Sequence, residues 1–230
     1  MDSVQPTSPT SRQQNLASIP WILSSVVAAV AIYVWGSSFN WQFSGLSTYQ
    51  IFPVLGLLAF SLMWAHYMTG LMRRTFLKGV NLSQYFNWTG YVVLVAIVLH
   101  PGLLTYQRWR DGFGLPPGSE TGYVANGMAW IVVLGMTSLL VFLAFEFRRW
   151  FSHKKWWKFV PMAGDIAMIA IFYHGLELGT QTHIGWFRTV WWFYGLSLIG
   201  VLIFTYSRQL LGLEHAQDFD AFAKDDTKHV

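Results

Sequence analysis

The chain has 230 residues, of which 53% are hydrophobic, 18% aromatic and only 11% charged, with a formal net charge of +4. Soluble domains run near about 25% charged, so this composition belongs to the membrane class. It has no cysteine, which excludes disulfides, thiolate-held iron–sulfur clusters and any cysteine-ligated metal group. The basic residues sit in short loops between apolar runs, the pattern of membrane orientation, which argues against nucleic acid as a partner.

Residues 1–19 are polar and rich in Ser, Thr and Pro, and are expected to form a flexible tail. A signal peptide would open on a basic region and end at a small-residue cleavage site. Only Arg12 precedes the first apolar run, so that run is expected to be a retained helix. Six apolar runs, near 20–36, 51–72, 87–107, 127–147, 158–179 and 188–208, can cross about 30 Å of hydrocarbon at about 1.5 Å per residue. The first is short and is expected to extend into the tail. Tryptophan and tyrosine mark many run ends, among them Trp35, Trp41, Trp88, Tyr106, Trp109, Trp156 and Trp186, as an aromatic belt would. The expected fold is all-α: a six-helix transmembrane bundle over 20–208, with a short cytoplasmic tail at 209–230.

Twelve Lys and Arg residues fall on one side of this bundle: Arg12, the loops with Arg73, Arg74 and Lys78 and with Arg148 to Lys158, and Arg208, Lys224 and Lys228. Arg108, Arg110 and Arg188 alone fall on the other. The excess of positive charge on cytoplasmic loops then places both termini inside.

Seven histidines are present. His215 and His229 lie in the C-terminal tail, His153 in a basic loop facing headgroups or a cytoplasmic partner, and His183 in an outer loop. His66, His100 and His174 lie within apolar runs, where an ionisable ring is expensive and marks a site. Counted at about 1.5 Å per residue, His100 lies about 18–20 Å and His174 about 22–24 Å above the inner ends of their helices. The two can face each other across the bundle, whereas His66 falls in the inner half. Each could instead bond a carbonyl on a neighbouring helix. Pro101 frees the carbonyl of Ile97 beside His100, and Gly102 and Gly175 remove bulk beside each ring. Two histidines are too few for a tetrahedral zinc site, but suffice as axial ligands of a haem, whose porphyrin supplies four nitrogens.

At these residues the chain resembles the ferric reductase-like transmembrane family, which includes NADPH oxidases, metalloreductases and the haem subunit of a bacterial methionine sulfoxide reductase system. The resemblance covers roughly 50–208. It rests on the arginine pair in Leu71-Met72-Arg73-Arg74, on Leu99-His100, on the basic loop from Arg148-Arg149-Trp150 to Trp157-Lys158, and on Tyr173-His174-Gly175. It implies a membrane haem subunit of an oxidoreductase, carrying electrons through b-type haem held by His100 and His174. Larger members carry a second haem about four turns inward. Here those positions fall near Phe86–Asn87 and Val160–Pro161, and none is histidine, so one haem is expected, on the outer side. Ascorbate-dependent cytochromes b are a poorer match, since the fourth run has no histidine.

The family's cytoplasmic flavin and nicotinamide domain has no counterpart in this sequence. Electrons are therefore expected from a separate donor, a flavoprotein or a membrane quinol, and are expected to leave to an acceptor outside. His66, Arg73, Arg74 and Asp165 are the candidate contacts for FMN, FAD or a quinone at the inner side. Arg108, Arg110 and Arg188 are candidates for the haem propionates, since guanidinium binds carboxylate in a fork. The expected location is a bacterial inner membrane. A haem-free transporter or assembly scaffold is the alternative.

Overall fold

The structure, a computed structural model, describes residues 11–147, 151 and 153–212. Six helices are long and apolar enough to cross a membrane: α1 (Ser11–Ser37), α2 (Thr48–Thr75), α3 (Ser83–Arg110), α4 (Ala129–Glu146), α5 (Phe159–Leu178) and α6 (Gly185–Leu210). One short helical turn, Gly118–Thr121, and two 3₁₀ turns, Lys155–Lys158 and Gln181–His183, lie in the connections. Among the described residues there is no strand. Hydrocarbon offers no partner for peptide groups, so each crossing segment closes its own backbone bonds as a helix. The protein is a multi-pass integral membrane protein with an all-α, six-span fold.

α2 and α3 start earlier than hydropathy implies, at Thr48 and Ser83, because polar capping groups lie outside the apolar runs. The Gln50 side chain accepts the Ser47 backbone N–H at 2.8 Å, and the Asn81 side chain accepts that of Ser83 at 2.9 Å. Each satisfies a donor that a helix start leaves open.

The first helix extends into the segment expected as a tail, as the shortness of its apolar run implies. Residues from Ser11 onward are helical, and Pro20 lies inside α1. Leu16, Ala17 and Ile19 pack on a small cluster of Leu77, Val80 and Leu82 in the α2–α3 connection. That cluster gives the few apolar residues of the polar segment something to bury against. Residues 1–10 and 213–230 lie outside the described residues, as do Arg148, Arg149 and Trp150.

An even number of crossings returns the chain to its starting side. The connections at 76–82 and 147–158 mark a basic end of the bundle; those at 38–47, 111–128 and 179–184 mark the far end. The main core joins α1, α2, α5 and α6 through Ala31, Phe60, Trp64, Phe172, Trp191 and Tyr194. Phe60 packs tilted against Trp191 with ring centroids 4.4 Å apart, and Trp64 against Tyr194 at 4.5 Å. In lipid, close packing and polar links between helices provide cohesion. The Trp64 indole N–H donates to the Ser197 hydroxyl at 2.9 Å and the Trp191 indole to the Phe172 carbonyl at 3.1 Å. Large apolar side chains face outward, Val95, Leu140, Ile166 and Ile203 among them, each more than half exposed.

At the far end the Tyr49 hydroxyl donates to Asp111 at 2.6 Å and the Gln107 amide at 2.9 Å, tying the outer ends of α2 and α3. The Tyr49 hydroxyl above all, then Gln107, holds the Asp111 carboxyl below its ordinary range, with Arg110 and Arg108 adding to the effect. A carboxylate so depressed contributes stability above its unfolded value of about 3.9 and loses it as pH falls through its folded value. Thermal melts in detergent from pH 5 down to pH 2.5 are expected to show an acid loss in the wild type that Asp111→Asn reduces.

Candidate functional site

His100 and His174 occupy matching seats. The His100 ring on α3 lies against Gly56 of α2, and its Nδ1–H donates to the Phe52 carbonyl at 2.9 Å. The His174 ring on α5 lies against Gly135 of α4, and its Nδ1–H donates to the Ile131 carbonyl at 2.9 Å. In both, the accepting carbonyl is four residues before the glycine, on the helix that precedes the histidine's own in a hairpin. A Cβ at Gly56 would come within 2.8 Å of the His100 ring and one at Gly135 within 2.7 Å of the His174 ring. Only a helix face without a side chain lets the ring approach that backbone.

Hairpins α2–α3 and α4–α5 both start at the far end, so the two seats repeat in parallel. From Ser83 to His100 is about 25 Å and from Phe159 to His174 about 22 Å of helix, a difference within one turn.

A carbonyl only accepts, so Nδ1 carries the proton in both rings. In the neutral imidazole, Nε2 is then left with a lone pair. Each ring thus makes the bond to a neighbouring helix's carbonyl that by itself only joins helices; a metal-ligating histidine uses the same bond on one nitrogen to set tautomer and orientation, leaving the other for the metal. Among the described residues no three His, Asp or Glu side chains converge on a common point. Two imidazoles without a third protein ligand are, as a donor set, suited to a group that brings its own equatorial nitrogens.

His66 is bonded differently. The Thr89 hydroxyl donates to the Tyr85 carbonyl at 2.6 Å, so its oxygen accepts from His66 Nε2–H at 2.6 Å. The lone pair of His66 is therefore on Nδ1, the opposite tautomer from the other two rings. His183, in the far-end 3₁₀ turn, is exposed and donates from Nδ1 to the Gly179 carbonyl at 2.8 Å. His153 is exposed, and His215 and His229 lie outside the described residues.

The glycines flanking each histidine in sequence do not cradle it. Gly175 is filled by Trp191, whose ring an added Cβ would meet at 2.5 Å. Gly102 has open space and borders a groove of about 560 Å³ between α3 and α4, with Pro101, Thr105, Trp109, Met136, Leu140 and Glu120 in its lining. At about 100° per residue, the α3 side of this groove is the face opposite His100. The space against each ring is opened by a glycine on the neighbouring helix, and not by the glycine beside it in sequence. Gly56 and Gly135 carried no local signal; a search for a glycine pair opposite the histidine pair would have found them.

The three far-end arginines are not gathered at the histidines. Arg108 is buried, donates from Nε to the Ser119 carbonyl at 3.1 Å and stacks 3.7 Å over Phe113, holding the α3–α4 connection. Arg110 and Arg188 are exposed on separate helices. The four residues expected at a donor site also divide. His66 faces α3, whereas Asp165 accepts from Tyr67 of α2 at 2.7 Å and Tyr206 of α6 at 2.6 Å. Arg74 donates to Thr205 of α6 at 2.6 Å. Arg73 lies one residue away at the same end of α2.

No family model, no curated protein and no solved structure matches this chain.

The seats make a direct prediction. Gly56→Ala and Gly135→Ala force each ring off its carbonyl and are expected to lower stability by about 1–3 kcal/mol, as overpacking does. Gly70→Ala, in the same α2 but facing open space, is expected to be neutral or stabilising by up to about 1 kcal/mol. Unfolding in detergent micelles compares the three.

Proposed function

We propose that the protein is the membrane haem subunit of an electron-transfer system, with His100 and His174 as the two axial ligands of one b-type haem. The observation that carries this reading is the repeated seat: two imidazoles, each with Nδ1–H on a backbone carbonyl, each against a glycine, on parallel hairpins at similar depth. Bound there, the haem supplies a one-electron Fe(III)/Fe(II) couple whose potential is tuned by its axial ligands and burial.

The chain's own residues do the rest. The Phe52 and Ile131 carbonyls hold the rings in the ligating tautomer and raise their basicity. A haem held by both imidazoles would carry electrons and would offer oxygen no ligand position. Arg110 and Arg188, exposed at the far end, are available to haem carboxylates as charge partners; Arg108 serves the connection instead. The basic end faces the cytoplasm by the charge rule. An electron enters there from a separate flavoprotein or quinol and leaves at the far end to an acceptor outside. The bonded environment of His66 suits a link between α2 and α3, and its tautomer disfavours Nε2 ligation of a second haem.

The test is the visible spectrum of purified protein, oxidised and dithionite-reduced. A low-spin b-type spectrum at about one haem per chain is expected. It should be lost in His100→Ala and in His174→Ala, and kept in His66→Phe. Well-folded protein made with ample haem but without a haem band would overturn the reading and leave a transporter or scaffold.

A further inference from the structure

Asp165 is the one carboxylate well inside the basic half of α5, about 9 Å from its start at Phe159 and about 13 Å along the same helix from His174. A charge at such depth is expensive and marks a site. Two hydroxyls from two other helices aim at it, Tyr67 at Oδ1 and Tyr206 at Oδ2. Arg74 of α2 is near enough to interact with it electrostatically and is itself fixed on Thr205 of α6. The other helix packed on α5 is α4, whose single titratable residue, Glu146, lies at its basic end. His66, next to Tyr67 in sequence, faces α3.

This arrangement exceeds what joining helices requires, since one hydroxyl pair would do that without a carboxylate. Asp165 and Tyr206 are only partly buried within the protein, and a proton from the basic end has about two helical turns to travel along α5 to reach them.

We infer that Asp165 is a redox-linked proton-binding site, which takes up one proton when the haem gains an electron and releases it when that electron leaves. The inference rests on the haem reading above. In the balanced step, one electron from the donor reduces Fe(III) to Fe(II), and one proton from the basic side converts the Asp165 carboxylate to the acid. On reoxidation the electron passes to the acceptor and the proton returns to the basic side. Uptake offsets the positive charge that the iron loses in a medium of low dielectric. At about 13 Å and an effective dielectric constant of about 20, the coupling amounts to roughly a tenfold change in proton affinity.

Potentiometric titration of the haem-loaded protein from pH 5 to 9 tests this. By linkage, the midpoint should fall as pH rises through the ionisation of Asp165. The total fall is about 60 mV, the equivalent of a tenfold change for a one-electron couple. Asp165→Asn should remove that fall while leaving the visible spectrum in place. In redox-difference infrared spectra, a carboxylic acid C=O band should grow on reduction, shift in Asp165→Glu and vanish in Asp165→Asn. A normal haem spectrum with a pH-independent midpoint, or with a pH dependence and acid band that persist in Asp165→Asn, overturns this inference alone. Absence of any haem band overturns the electron-transfer reading and this inference with it.

Discussion

The seat of an imidazole against a bare stretch of helix is the constraint on which this structure turns. A polar ring within a membrane needs a partner, and most backbone carbonyls in the interior of a helix already have one. The carbonyls of Phe52 and Ile131 accept a second bond because each has two lone pairs, and because glycine four residues on clears the way to them. That bond fixes the ring's tautomer, draws α3 onto α2 and α5 onto α4, and leaves Nε2 with its lone pair. Helix packing and site chemistry are here one interaction.

The basic half of the bundle uses polarity in another way. His66, Thr89 and Tyr85 close a bonded run between α2 and α3, while Tyr67, Asp165 and Tyr206 join α2, α5 and α6. Where interhelical cohesion has no hydrophobic drive, such bonds and close aromatic packing take its place. They also explain why residues that share a depth do not share a site: each is directed by its own helix face. The same reasoning sets Arg108, stacked over Phe113 and bonded to Ser119, apart from Arg110 and Arg188.

Much of the fold was legible in the sequence. Runs of about twenty apolar residues have one solution in hydrocarbon, so six spans and an all-α bundle followed from composition and length alone. The starts of α2 and α3 were not legible, because Gln50 and Asn81 act from outside the apolar runs. The shortness of the first run implied that its helix extends into the tail, as it does; its reach to Ser11 was not legible, because Leu16, Ala17 and Ile19 are ordered by a distant connection.

The sequence by itself determined the membrane class, the number of crossings, the asymmetry of basic charge and the histidines at similar depth. Those depend on composition and on distance along one chain. The tertiary structure alone decided which glycines receive the rings, which nitrogen of each ring is bonded, and that Asp165 meets Tyr67 and Tyr206 instead of His66. Those depend on the rotation of each helix about its own axis, which is set by side chains on other helices and is invisible in a linear count.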